Sequence, residues 1–100
     1  MPDFATARGV EEFGKKLSKG ELVRALRFSV AAEYEAVQIY EQIIEATDNP
    51  HVIAVVSDII NEEKLHACQF LDVLFEIAPE EKKPYDDAVR ENKEIREKTQ

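Results

Sequence analysis

The chain has 100 residues, enough for one domain with a limited core. Its 21 acids against 13 bases give a formal charge of −8, which disfavours nucleic acid as a partner and concentrates cations near the surface. One cysteine, Cys68, leaves no internal disulfide to form, no basic-then-apolar leader opens the chain, and no apolar run is long enough to span a bilayer, so a soluble, cytoplasmic protein is expected.

All three glycines (Gly9, Gly14 and Gly20) lie in the first twenty residues. Residues 1–17 are expected to form an N-terminal arm in which Val10, Phe13 and Leu17 make a short amphipathic turn against a neighbour. Ser18-Lys19-Gly20-Glu21 matches a capping box, so a first helix is predicted from there to about Ala46. Thr47-Asp48-Asn49-Pro50 breaks the pattern: Asn49 suits an N-cap, and Pro50 suits the first helical position, where no amide hydrogen is needed. A second helix is predicted from Pro50 to about Ile77, stopped by Pro79. From 79 to 100, thirteen of 22 residues are charged, and Asp86, Arg90, Glu94 and Lys98 form an alternating ladder. With only Tyr85, Val89 and Ile95 as an apolar face, an exposed terminal helix is expected. The predicted fold is all-α: arm 1–17, antiparallel hairpin 18–78 and charged C-terminal helix 79–100.

Counting in steps of four and three, the second helix shows Val52, Val56, Ile59, Glu63, His66, Phe70, Val73 and Ile77 on one seam. An acid and an imidazole stand where core residues are expected. The first helix has a comparable seam of Leu22, Leu26, Ser29, Glu33, Ala36, Tyr40 and Ile43. A short connection makes the helices antiparallel, and at about 1.5 Å per residue Glu33 and Glu63 both sit roughly 22 Å from the turn. His66 shares a face with Glu63, three residues on. Buried carboxylates without a basic partner call for a cation, and two carboxylates with an imidazole suit iron, manganese or zinc better than calcium. If the seam instead runs through Ile60, Lys64 and Ala67, Glu63 and His66 are solvated. Glu62 points about 100° from Glu63 and is expected to face solvent; Cys68 and His51 carry no ligand role.

Di-iron helix bundles take one Glu from each of two helices and a Glu-x-x-His pair from each of the other two. This chain supplies half of that set, so a two-fold homodimer is expected to complete a four-helix bundle. Four carboxylates then balance two Fe²⁺ ions, and without metal the same acids repel one another, so dimer stability is expected to depend on metal.

The stretches AEYEAVQIYEQ (32–42), TDNP (47–50) and NEEKLHA (61–67), with Glu33 and Tyr40 seven apart and Glu63-x-x-His66 thirty residues on, resemble the encapsulated ferritins over about residues 22–78. The resemblance implies ferritin-like half-bundles that dimerise around a di-iron ferroxidase centre, close into a ring, typically a decamer, and deliver iron mineral into an encapsulin shell. It implies Glu33, Glu63 and His66 as metal ligands and Tyr40 as a hydrogen-bonding partner beside them, with Fe²⁺/Fe³⁺ as the metal. Ala32 and Ile39 depart from the family at a metal-uptake position where Glu35 remains. The alternatives are a rubrerythrin-like di-iron peroxidase, against which the absence of a rubredoxin-type cysteine cluster counts, and a helical assembly module whose polar seam residues only set register.

Overall fold

A computed structural model describes residues 15–100. They form an all-α chain: α1 (Lys19–Glu45), α2 (Pro50–Ile77), a 3₁₀ turn (Pro79–Glu81) and α3 (Lys82–Thr99). Among the described residues there is no strand. Val10 and Phe13 of the expected arm lie outside the described residues, while Leu17 is half exposed.

Local chemistry places the helix ends. Ser18 Oγ accepts from the Glu21 amide at 3.1 Å, and the Glu21 carboxylate accepts from the Ser18 amide at 3.1 Å, satisfying two donors that a helix start otherwise leaves unpaired. At the turn, Asn49 Oδ1 accepts from the amides of His51 (3.0 Å) and Val52 (3.2 Å), and Thr47 Oγ1 accepts from the Asn49 amide (3.1 Å). Pro50 opens α2 without losing a bond. The reversal between Glu45 and Pro50 lays α2 back along α1, and this pair is the one extensive helix–helix interface among the described residues.

The interface is centred one position away from the seam expected on the second helix, and takes in the expected seam only at the open end. Its buried residues are Val23, Leu26 and Val37 on α1 and Ile60, Ala67 and Leu74 on α2, joined at the open end by Ala78. On α2 this is one residue beyond Ile59, His66 and Val73, a rotation of roughly 100°. Ala67, only 1 % exposed, has the small side chain that a close helix contact needs. The expected seam therefore becomes a flank: Val52, Val56, Ile59, Phe70 and Ile77 are half-buried, and Val73 is exposed. On α1, Leu26 stays in the core, Ile43 is exposed, and Leu22, Ser29, Ala36 and Tyr40 are half-buried.

The core is densest at the open end, where Val23, Leu26, Leu74 and Ala78 pack with Leu22, Phe70, Leu71 and Ile77. Beyond it α3 buries none of its residues, and Tyr85, Val89 and Ile95 are more than half exposed. The Tyr85 ring meets Phe75 of α2 at a centroid distance of 5.9 Å.

Candidate metal centre

The flank next to the core carries the anomalous side chains. α1 presents Ser29, Glu33, Ala36 and Tyr40 there, and α2 presents Ile59, Glu63, His66 and Phe70. Because both helices are regular and antiparallel, residues equidistant from the turn come level. Glu33, Glu63 and His66 converge: one ligand atom from each lies within 4.8 Å of the others. No other group of three such donors forms among the described residues.

Burial grades across the three. Glu33 is the innermost, with its side chain 17 % exposed, while the His66 side chain is 46 % exposed. Glu63 is half-buried. Glu33 Oε1 stands 3.9 Å from His66 Nδ1, too far for a hydrogen bond. Glu33 Oε2 is buried and has no hydrogen-bond partner. Ser29, one turn earlier on α1, gives its proton to the Ala25 carbonyl at 2.9 Å instead.

A carboxylate oxygen withdrawn from water without a donor is costly, of order 1–3 kcal/mol or more when charged. Such an oxygen, a second carboxylate and an imidazole together fit a divalent transition-metal ion, which supplies the missing positive partner and accepts both oxygen and nitrogen. The surroundings agree in sign. Residues 28–63 hold eight acids and no Lys or Arg, so the whole formal charge of −8 resides there, while the other 13 acids are matched by 13 bases. A half-hairpin of one sign attracts cations.

The remaining sequence candidates separate from this cluster. Tyr40, two turns from Glu33 towards the hairpin turn, is half-buried, and its hydroxyl makes no hydrogen bond among the described residues. Glu62 and Glu35 are exposed and outside the cluster, as are Cys68 and His51. His66, expected in a buried seam, is exposed in a single chain, as the alternative seam through Ile60 and Ala67 requires, while Glu63 stays half-buried. The signal for this was present in Ile60, Ala67 and Leu74, a second seven-residue apolar spacing one position over.

No helix among the described residues is long and apolar enough to cross a membrane. No solved structure matches the chain significantly. The encapsulin nanocompartment cargo protein EncC of Myxococcus xanthus is 33% identical over 67 residues, covering 67% of this chain and 52% of that protein. A ferritin-like-encapsulin shell fusion protein of Pyrococcus furiosus is also 33% identical over 67 residues, covering 67% of this chain and 19% of the fusion. The chain thus spans about half the length of the first relative and a smaller part of the second. The EncFtn-like family model matches residues 9–92, which takes in the hairpin, its three converging donors and most of α3, and the chain belongs to the EncFtn-like family.

Proposed function

We propose that the protein is a ferroxidase whose di-iron centre is completed between two copies of the chain. The observation that carries this reading is the convergence of Glu33, Glu63 and His66 within 4.8 Å on a flank that one chain leaves open, with Glu33 Oε2 buried and unpartnered. A two-fold partner laid on this flank contributes the same three residues. The pair then offers four carboxylates and two imidazoles, and the carboxylate charge matches two Fe²⁺ ions. The apolar residues beside the three side chains, Ile59, Phe70 and Val73, supply the surface that such a pairing buries. Charge supports an antiparallel arrangement of the two hairpins, which sets the acidic turn half of one copy against the balanced open end of the other.

Iron is the substrate. Two Fe²⁺ ions each lose one electron, and dioxygen or peroxide takes up both electrons with two protons. Glu63 would serve both irons, Glu33 would hold an iron from its outer side, and His66 would donate nitrogen. The carboxylates favour the ferric product as hard oxygen donors. Tyr40 lies on the same flank and orients ligands only once a partner is present. The EncC relative is named as encapsulin cargo and the other as an encapsulin shell fusion. On that basis we place the chain inside an encapsulin compartment, as dimers closed into a ring such as a decamer that feeds mineral to the shell.

The test is Fe²⁺ oxidation followed by absorbance, with chelator-stripped protein sized in parallel. Wild type is expected to outpace buffer, and stripping is expected to shift the oligomer towards monomer. Glu33→Gln removes the buried charge, so it is expected to stabilise the metal-free dimer while abolishing iron oxidation. A wild-type rate equal to buffer refutes the ferroxidase reading.

A further inference from the structure

The junction between the hairpin and α3 is built with more contacts than a surface turn needs. α2 ends at Ala78, which leaves helical geometry (φ −131°, ψ 79°) yet is fully buried among Val23, Leu26 and Leu74. Pro79 follows, and the Glu81 amide donates to the Ala78 carbonyl at 2.9 Å, closing the 3₁₀ turn. Both acids of that turn reach back to α1. Lys19 Nζ stands 3.2 Å from Glu80, with both side chains largely exposed. The Arg27 guanidinium engages both oxygens of Glu81: Nε donates to Oε2 at 3.3 Å, and a terminal nitrogen donates to Oε1. The Glu81 side chain is only 23 % exposed.

Glu81 is also the residue that precedes α3. A helix start gains from a side chain that accepts its first free amides, but Glu81 makes no capping bond to its own helix. Its carboxylate is turned away to Arg27 instead. α3 itself buries nothing and touches α2 through the Phe75–Tyr85 ring contact. The direction of α3 therefore depends on the turn and on what holds the turn to α1. A planar guanidinium held by two parallel bonds fixes orientation in a way that a single lysine contact does not.

We propose that Arg27 and Glu81 form a latch that sets the angle at which α3 leaves the hairpin, with Lys19–Glu80 as its weaker flank. Closing the latch fixes where the exposed Tyr85, Val89 and Ile95 point, and opening it releases α3 at Ala78–Pro79, so that an 18-residue helix with no buried residue both swings and frays while the hairpin stays folded. This inference does not depend on the metal reading.

The test is hydrogen exchange by mass spectrometry on the full chain in its native assembly. Arg27→Ala is expected to speed exchange across 82–99 by about five-fold while exchange across 60–74 stays at wild-type levels, because sub-global opening exposes only the released element. The charge swap Arg27→Glu with Glu81→Arg is expected to restore α3 protection, and 1 M salt is expected to mimic the alanine variant. Arg27→Lys keeps the charge and loses the fork, and it serves if the alanine variant does not fold. Faster α3 exchange in the lysine variant supports the latch. Wild-type exchange in both single variants, equal loss across the hairpin, or failure of the swap to restore protection overturns it.

Discussion

On α2, Ile60, Ala67 and Leu74 are 6, 1 and 3 % exposed against α1, whereas each residue one position earlier, Ile59, His66 and Val73, belongs to a stripe that the chain leaves half open or exposed. Both stripes repeat at seven-residue spacing, the first wholly apolar and the second interrupted by His66. A hairpin of two helices has a single helix–helix interface, so one stripe is covered within the chain and the other is left half open. The covered stripe contains no ionisable group. The open one holds Glu63 and His66, facing Glu33. The hydrophobic seam makes the hairpin, and the adjacent flank carries Glu33, Glu63 and His66, which the single chain leaves partly open.

The largest effect expected from this division is chemical. Glu63→Ala and His66→Ala should lower the initial rate of Fe²⁺ oxidation by about 100-fold or more, while Glu62→Ala should stay within about two-fold of wild type. An equal loss at Glu62 would move the working face off the open stripe. Next in size is a stability contrast between adjacent residues. Leu74→Ala should cost about 2–4 kcal/mol in denaturant unfolding of metal-free protein at low concentration. Val73→Ala should cost far less there and instead weaken self-association measured by ultracentrifugation. Reversal of that order would mean that the open stripe is the true intrachain seam.

Helix ends sharpen the comparison at a smaller scale. Ser18→Ala and Asn49→Ala each remove a cap that belongs to neither stripe, and each should lower stability by about 1 kcal/mol with no change in iron oxidation per assembled dimer. The smallest effect lies furthest from both stripes. In α3, the hydrogen bond from Lys83 and the nearby Arg90 hold the Asp87 carboxyl below its usual range. A depressed folded value means that this contribution is complete above the ordinary aspartate range and is lost as pH falls through the lowered value. Exchange protection across 82–99 should therefore weaken at acidic pH, and Asp87→Asn should flatten that dependence.

Elements whose signals act within one turn of helix were legible in the sequence. Ser18 with Glu21, and Asn49 with Pro50, mark the two helix starts because a cap and its amides lie three residues apart, and Pro79 marks an end because its ring removes a donor. The level meeting of Glu33 and Glu63 was equally legible, since a regular rise and a short turn leave little freedom in register. Which stripe would be buried was legible only in part: Ile60-Ala67-Leu74 is apolar throughout, while His66 interrupts Ile59-His66-Val73. Ile59-His66-Val73 and Ile60-Ala67-Leu74 satisfy the same periodicity, and periodicity reports only that an apolar face exists.

By itself, then, the sequence determined the all-α hairpin, the ends of its helices and the level at which Glu33, Glu63 and His66 meet, all of which follow from regular helix geometry and chemistry between near neighbours along the chain. Only the tertiary structure decided that the helices meet through Ala67 and its seam, that Glu33 Oε2 is enclosed without a donor, and that Arg27 reaches across 54 positions to Glu81. Those outcomes depend on how two surfaces fit in three dimensions, where a small side chain admits a close approach that composition along one helix does not encode.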